Sequence, residues 1–352
     1  MKSNPFSLDF GAEPNLYIPR LNEQAKIINT FNSDIPTSHI YLILGVRGSG
    51  KTVLMTSVSH TLSDLPKWIH IDLNVEKDML NSLAANLFRL TKNKFPKFNL
   101  AFSFKGVDVS VAKESKYTDV QSDIDEMLQE LAKHNIKVLI TIDEVINSKN
   151  VREFTSYFQH CLREKLPVFV LMTGLYKNIR ALQNNRSQTF LKRTPKIVLG
   201  PLNLRRIAKY YEDTFNISEV QSFDIAGHTL GYSFAFQILG YHMFESNKTE
   251  IDNDILYNYK LSLEESSYEK IWEELSSTEQ EVLIAIAKSD DDVQVKTVRE
   301  TLDMGSNSFS TYQNTLENIG ILSQKSSYGK VNFSLPYFRE FVLRQSPKGG
   351  LQ

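Results

Sequence analysis

The sequence contains a single cysteine, Cys161, so no disulfide can form within the chain. This favours a reducing, cytoplasmic compartment. Long apolar runs are also missing: the longest, Ile136–Ile146 and Leu166–Leu175, span about ten residues, against the roughly 20 that a transmembrane helix needs. The N-terminal residues have no apolar signal-peptide core and carry Asp9 and Glu13. We therefore expect a cytoplasmic protein with no membrane partner.

An excess of charge of one sign is equally absent. The 352 residues include 40 Lys+Arg and 41 Asp+Glu, a formal net charge of −1, which excludes a globally basic coat for nucleic acid. Hydrophobic residues make up 41% and charged residues 23%, which is globular usage and excludes a long disordered chain. At about 150 residues per domain, the length suggests two or three domains.

The first 200 residues alternate short apolar runs with segments of helical periodicity. This alternation is typical of an α/β fold in which crossover helices connect the strands of a parallel sheet. Five strands are predicted: His39–Gly45, Trp68–Leu73, Val138–Ile142, Val168–Thr173 and Lys196–Gly200. The helices predicted between them include Val53–Leu62, Asp78–Leu90 and Asp119–Lys133. A period-two pattern from Leu100 to Val111 indicates an inserted β-hairpin, either an edge ribbon or a ribbon that contacts a partner.

The C-terminal residues suggest a separate module that begins near residue 270. It opens on a capping box, Ser276-x-x-Glu279. Its other predicted elements are helices at about Val298–Leu302 and Ser306–Asn318, and two segments, Ile321–Gln324 and Lys330–Phe333, that face each other across Ser326–Gly329. Three helices followed by a β-ribbon are typical of the winged helix, a variant of the helix-turn-helix.

One motif indicates phosphate chemistry, because residues 45–52, GVRGSGKT, match G-x-x-x-x-G-K-[ST]. The predicted nucleotide-binding residues are Gly45, Val46, Arg47, Gly48, Ser49, Gly50, Lys51, Thr52 and Val53. The glycines allow backbone N–H groups to converge on phosphate oxygens, Lys51 reaches the β- and γ-phosphates, and the Thr52 hydroxyl takes a Mg²⁺ position. The alternative is a glycine-rich turn that binds nothing, which the apolar run before the motif and the helical segment after it disfavour.

An acidic pair at the end of a predicted strand indicates the second half of the site. Asp143 and Glu144 directly follow Val138–Ile142. Asp143 would hold Mg²⁺, directly or through water, and Glu144 would polarise the attacking water. The alternative is a solvated loop start, which the upstream phosphate motif makes less favoured. The predicted cofactors are therefore ATP or ADP with Mg²⁺.

These motifs resemble those of AAA+ ATPases, specifically the initiator-like and archaeal-type groups that neighbour the STAND NTPases, over about residues 14–345. The segment from Tyr17 to Glu23, YIPRLNE, is similar to the family's N-terminal GR-x-x-E box, which lies by the adenine and implies nucleotide contacts by Tyr17 and Ile18. The resemblance implies an ATPase core at residues 1–202, a helical lid at 203–247, a linker at 248–269 and a winged-helix domain at 270–345.

The same resemblance implies further site residues. Thr173 stands where the family places a polar residue that senses the γ-phosphate, although it is also simply a strand-end threonine. Arg193 best matches the arginine that reaches a neighbouring subunit's γ-phosphate, with Arg186 second, which implies a homo-oligomer. Residues 231–240 resemble the lid segment G-x-P-x-x-x-Q-x-x-G, in a helix that often carries a sensor arginine. This chain has Ser233 and Phe234 there instead.

Local charge leaves the macromolecular partner open. Residues 177–209 hold nine Lys/Arg and no Asp or Glu, whereas residues 276–345 hold seven Lys/Arg and nine Asp/Glu. The predicted recognition helix has no cation, so phosphate contacts would depend largely on the basic segment, itself either a solvated face or a phosphate-directed one. We expect an ATP-hydrolysing AAA+ switch or motor that acts on DNA, as initiators and mobile-element helpers do. The alternative is a nucleotide-gated signalling module whose winged helix contacts protein.

Overall fold

The computed structural model describes residues 3–8, 14–92, 120–289, 293–323 and 330–346. The predicted hairpin from Leu100 to Val111 and the turn at 326–329 lie outside these residues. The chain divides into two compact units. The sheet unit comprises Arg20–Leu44 and Thr52–Ile197, and the lid unit comprises Met1–Pro19, Gly45–Lys51 and Val198–Gln352.

A five-stranded sheet of order β2-β3-β4-β1-β5 organises the sheet unit. Its strands are β1 Ile40–Leu44, β2 Trp68–Asp72, β3 Lys137–Ile142, β4 Val168–Gly174 and β5 Lys196–Val198. The pairs β1–β4, β2–β3 and β3–β4 are parallel, and every residue of β1 and β4 is buried. Continuous burial is expected where helices cover both faces of a parallel sheet. The predicted α/β fold with a five-stranded parallel sheet is confirmed.

Amphipathic helices cover this sheet. They are α1 Leu21–Asn32, α2 Lys51–Ser63, α3 Met79–Thr91, α4 Val120–Lys133, α5 Lys149–Arg163 and α6 Tyr176–Asn184, with a 3₁₀ segment at Arg186–Arg193. The spacing of Ile124, Met127, Leu128 and Leu131 predicts one apolar face on α4, and all four side chains are fully buried. Side-chain caps start two helices: Asp78 accepts from the Asn81 N–H at 3.0 Å, and Ser148 accepts from the Val151 N–H at 3.3 Å.

The lid unit is mainly helical. Its helices are α7 Leu204–Phe215, α8 Glu219–Gly227, α9 Ser233–Glu245, α10 Asn253–Leu263, α11 Glu269–Glu273, α12 Ser277–Lys288, α13 Val295–Thr301, α14 Ser306–Ile319 and α15 Phe338–Gln345. A π-helical turn, Glu264–Tyr268, joins α10 to α11. One apolar core runs through the unit and includes residues as distant in sequence as Phe6, Val46 and Phe338.

The C-terminal part of this unit differs in detail from the sequence expectation. The Ser276–Glu279 capping box begins α12, and α14 ends at Gly320, as predicted. The ribbon, however, includes a strand that sequence reasoning missed: β6 Val293–Gln294 pairs antiparallel with β7 Lys330–Val331, and Leu322 forms an isolated bridge with Phe333. Two-residue strands carry no periodicity, so pairing partners rather than local pattern define them.

Several element limits also shift by one to three residues. The helix predicted from Val53 begins at Lys51, because the last loop residues already form its first turn. The helix predicted at about Val298–Leu302 is Val295–Thr301, and β5 ends at Val198 rather than Gly200. Element ends are where local propensity decides least. Among the described residues, no helix combines the length and apolar character that would let it span a membrane.

Gly240 offers a test of packing in the lid unit. A methyl group at this position would lie 2.4–2.5 Å from ring carbons of Phe6, whose side chain is 3% exposed. We expect Gly240→Ala to lower the free energy of unfolding by about 1–2 kcal/mol, because the ring must shift or leave the core. Gly227→Ala is the matched control, since nothing lies within 4 Å of its added methyl. Urea unfolding measures both, and equal effects would contradict the packing of Phe6 on Gly240.

Candidate functional site

The phosphate-loop motif forms a compact turn between β1 and α2. Gly48 and Gly50 have φ angles of +73° and +89°, which L side chains rarely adopt. A Cβ at Gly48 would also lie 2.4 Å from the Tyr232 hydroxyl oxygen. The Lys51 ammonium donates to the carbonyls of Gly45 and Val46, at 3.1 and 3.0 Å. A turn of this kind at the start of a helix presents N–H groups to an anion.

The start of α9 is hydrogen-bonded to this loop within the lid unit. Three successive residues donate to three successive loop carbonyls: Tyr232 Oη to Arg47 O at 2.6 Å, Phe234 N to Gly48 O at 3.1 Å, and Ser233 Oγ to Ser49 O at 3.1 Å. Sequence reasoning noted Ser233 and Phe234 only as residues that replace a sensor arginine, and it took no account of Tyr232. No local signal identifies Tyr232, because its loop partner lies 185 positions away.

The N-terminal segment that carries Tyr17 and Ile18 packs in the same unit. Gln237 of α9 donates to the Leu16 carbonyl at 2.6 Å and accepts from the Ser7 N–H at 3.1 Å. The Ile18 side chain is 6% exposed and belongs to the apolar core, whereas Tyr17 is half-buried. The glutamine of the lid segment thus holds the segment in which an adenine contact is predicted.

In the sheet unit, a carboxylate cluster forms where β3 and β4 end. Asp143 Oδ2 accepts from the Thr52 hydroxyl at 2.8 Å, and Oδ1 accepts from the Thr173 hydroxyl. The two strands are parallel neighbours with Ile142 beside Met172, so their carboxyl ends meet at one edge. The structure therefore brings Thr52, Asp143 and Thr173 together as the sequence predicts.

Glu144 lies beside this cluster with an exposed side chain. Its N–H donates to Asp143 Oδ1 at 3.0 Å and to Thr173 Oγ1 at 3.2 Å. Its φ is +50°, an uncommon value for a residue with a side chain. These hydrogen bonds hold the strained backbone in place, and such strain occurs at functional sites.

The oxygen ligands at this edge are suited to Mg²⁺. A hydroxyl and a carboxylate are hard donors, and Mg²⁺ is usually held by one or two carboxylates together with substrate phosphates and water. Thr52 directly follows Lys51 in the chain, so the donor pair follows the phosphate loop without a gap. Within the described ranges, no group of three or more His, Cys, Asp or Glu side chains could hold a metal ion alone.

Arg186 and Arg193 stand at the two ends of the 3₁₀ segment, and both side chains are exposed. Neither contacts Thr52, Asp143 or Thr173 in the part of the chain that the structure describes. The structure therefore does not bring Arg193 into the carboxylate cluster of its own chain.

His160 and Cys161, adjacent on α5, serve packing. His160 Nε2 lies 2.8 Å from Asp125 Oδ2, and the Tyr157 hydroxyl donates to Asp125 Oδ1 at 2.7 Å. Cys161 is 1% exposed, and burial raises the pKa of its thiol to about 12. A protonated, buried thiol is neither a nucleophile nor a metal ligand.

Comparisons with known proteins agree with this architecture. A family model described as "Domain of unknown function (DUF8462)" matches residues 265–342. No curated protein matches the sequence. Among solved structures, the Walker-type ATPase PABY2304 of Pyrococcus abyssi is 15% identical, with a TM-score of 0.63 over 94% of this chain and 96% of that chain.

A second similar structure is the ORC2 protein of Aeropyrum pernix. Its ADPNP–ADP complexes are 13% identical to this chain, with a TM-score of 0.57 over 96% of this chain and 97% of that one. Its ADP form gives a TM-score of 0.52 at 13% identity over the same shares. The chain has the AAA+ P-loop ATPase fold. The resemblance inferred from the phosphate loop and the acidic strand end is confirmed at the level of the fold.

The single cysteine provides a clean readout for burial in the sheet unit. Because its pKa is raised to about 12, only about one Cys161 thiol in ten thousand is ionised at pH 8, and the group is also inaccessible. We expect iodoacetamide to alkylate it at least about 100-fold more slowly in native protein than in 6 M guanidinium chloride. Mass spectrometry measures the reaction, and equal rates in both conditions would contradict the burial.

Proposed function

We propose that the protein is an AAA+ ATPase that binds and hydrolyses ATP with Mg²⁺ and uses this cycle as a switch or motor on DNA. One observation carries the nucleotide part of the proposal: the hydrogen-bonded cluster of Thr52, Asp143 and Thr173 follows directly on a loop with the backbone geometry of an anion-binding turn. A glycine-rich turn without function needs no such cluster. The similar solved structures, a Walker-type ATPase and an ORC2 protein with ADPNP and ADP, support the same proposal.

The chain's own residues divide the work. The loop N–H groups and Lys51 bind the phosphates, while Thr52 and Asp143 hold Mg²⁺, whose charge offsets that of the phosphate oxygens. Glu144 has an exposed carboxylate and a fixed backbone, which suits it to orient the attacking water. The Thr173 hydroxyl holds the Asp143 carboxylate and is placed to sense the γ-phosphate. Tyr17 and Ile18 contact the adenine.

The proposed domain layout follows from these roles. Residues 1–202 form the ATPase core, 203–247 the lid, 248–269 the linker and 270–345 a winged-helix domain. The order of α12, β6, α13, α14 and the ribbon of β7 supports the last assignment. Arg193, exposed at the end of the 3₁₀ segment, would act on the γ-phosphate of a neighbouring copy in a homo-oligomer.

Two substitutions separate binding from hydrolysis. Lys51→Ala removes the cation that contacts the phosphates, so we expect ATP affinity to fall at least about 100-fold. Glu144→Gln keeps the shape and removes the charge that orients water, so we expect affinity within about threefold of the native value and turnover reduced at least about 100-fold. Calorimetry and phosphate release measure the two effects. Native turnover in both variants would contradict the proposed ATPase site.

A basic face on the sheet unit supports action on DNA. Five cationic side chains between residues 180 and 196 are exposed and form no ion pair within the described residues: Arg180, Arg186, Lys192, Arg193 and Lys196. No Asp or Glu occurs from residue 177 to 209. Exposed, unpaired cations at this density suit phosphate contacts, which supply most non-specific affinity for DNA.

The C-terminal domain favours a second candidate. The exposed residues of α14 from Ser306 to Asn314 are neutral, and the module that contains them is net acidic. The alternative function is therefore a nucleotide-gated signalling module whose winged helix contacts protein.

A salt titration separates the two candidates. We expect duplex DNA to bind in the presence of ATP and the slope of log affinity against log salt to fall by up to about 3 when three basic side chains become glutamine, because each phosphate contact contributes about 0.9 to that slope. The test variant changes Arg180, Lys192 and Lys196. The matched control changes the exposed lysines Lys26, Lys67 and Lys77 of the same unit. DNA binding absent with ATP, ADP and no nucleotide would instead favour the signalling module.

A further inference from the structure

The Tyr232 hydroxyl links the phosphate loop to the segment that opens the C-terminal domain. Its oxygen lies 2.6 Å from the Arg47 carbonyl and 2.8 Å from Ser267 Oγ, and the Tyr232 side chain is 4% exposed. A carbonyl only accepts, so the single tyrosine proton is donated to Arg47 and the Ser267 hydroxyl donates to Tyr232. Burial raises the pKa of Tyr232, which keeps this proton in place. The hydrogen bonds therefore run in one direction, from Ser267 through Tyr232 to the loop.

A hydrogen bond to a loop carbonyl also orients an amide. In a planar trans peptide the C=O and the next residue's N–H point in opposite directions. The bond from Tyr232 therefore fixes the N–H of Gly48, and the bond from Ser233 to Ser49 fixes the N–H of Gly50. Both are glycines with positive φ, where the backbone has the greatest freedom to turn these groups away.

Ser267 connects this arrangement to the C-terminal domain. It lies fully buried in the π-helical turn Glu264–Tyr268, and π-turns within helices often mark functional positions. Its neighbour Tyr268 is also fully buried. The Tyr268 hydroxyl donates to the Pro336 carbonyl at 2.6 Å, and its ring packs edge-on against Phe338 with centroids 4.9 Å apart. Adjacent residues thus contact the lid tyrosine and the last helix of the domain.

A second contact joins the same domain to the loop. A Cβ at Gly320, the residue that ends α14, would lie 3.6 Å from Val46 Cβ. Ser267, Gly320 and Phe338 all fall within residues 265–342, the region matched by the domain of unknown function. That domain therefore meets the phosphate loop directly at Val46 and indirectly through Tyr232.

We propose that Tyr232 and Ser267 are positioning residues through which the C-terminal domain sets the nucleotide affinity of the phosphate loop. The inference rests on the proposed nucleotide function of that loop. It assigns the matched domain a role within this chain, in addition to any contact with a macromolecular partner. A rearrangement of the domain that withdraws Ser267 would free the Tyr232 hydroxyl and loosen the orientation of the loop amides.

The test compares Tyr232→Phe and Ser267→Ala with Tyr211→Phe in the full chain. Tyr211 is the matched control, because its fully buried hydroxyl also donates to a backbone carbonyl of this unit, Phe236 O at 2.8 Å, away from the loop. We expect the first two variants to bind ADP about three- to tenfold more weakly, which is the effect of one buried hydrogen bond. Tyr211→Phe should bind ADP as the native protein does. Since Ser267 acts through Tyr232, the double variant should bind no more weakly than Tyr232→Phe.

A second measurement needs no nucleotide. Hydrogen exchange of peptides covering residues 45–51 should be faster in Tyr232→Phe and Ser267→Ala than in the native protein, and unchanged in Tyr211→Phe. Unchanged exchange and affinity in the first two variants would overturn the inference and leave the proposed function standing. Native behaviour of Ser267→Ala alone would overturn the link to the C-terminal domain. If the native protein bound no ADP, the proposed function would fail, and exchange would still decide whether Tyr232 restrains the loop.

Discussion

The backbone of the phosphate loop needs hydrogen-bond partners, and the lid unit is organised around supplying them. A turn with two positive-φ glycines has few internal bonds of its own, and a polar backbone group left unsatisfied in a buried place is costly. The first residues of α9 and the Lys51 ammonium supply donors to five successive loop carbonyls, those of residues 45–49. With the carbonyls held, the free N–H groups of the glycines face the other way. This is what an anion-binding turn requires.

The same constraint explains why the lid and the N-terminal segment belong to one unit. The glycine at position 48 allows Tyr232 to approach the loop, and Gln237, one turn further along α9, holds the backbone at Leu16 and Ser7. A single helix therefore aligns the loop and the segment that carries Tyr17 and Ile18. The missing sensor arginine is replaced by neutral donors that bind the loop rather than the nucleotide.

The carboxylate cluster follows from a different rule. Parallel strands end at a common edge, so a polar residue at the end of β3 and another near the end of β4 must lie close together. This is why Asp143 and Thr173 were predictable as a pair from two apolar runs. Thr52 was predictable from its place in the phosphate motif. The positive φ of Glu144 was not, because a strained backbone leaves no mark on residue type.

The sequence by itself determined the α/β class, the five strands, the amphipathic face of α4 and most residues of the candidate site, because periodicity and motif spacing are local properties of the chain. Only the tertiary structure decided what meets the loop. Tyr232 lies 185 positions from Arg47 and 35 from Ser267, and β6 pairs with β7 across two intervening helices. These partners are set by packing between distant segments, where a serine or a tyrosine reads as ordinary core until its neighbours are known. For the same reason, the sequence indicated a loop that binds phosphate, and the fold placed the C-terminal domain in contact with that loop.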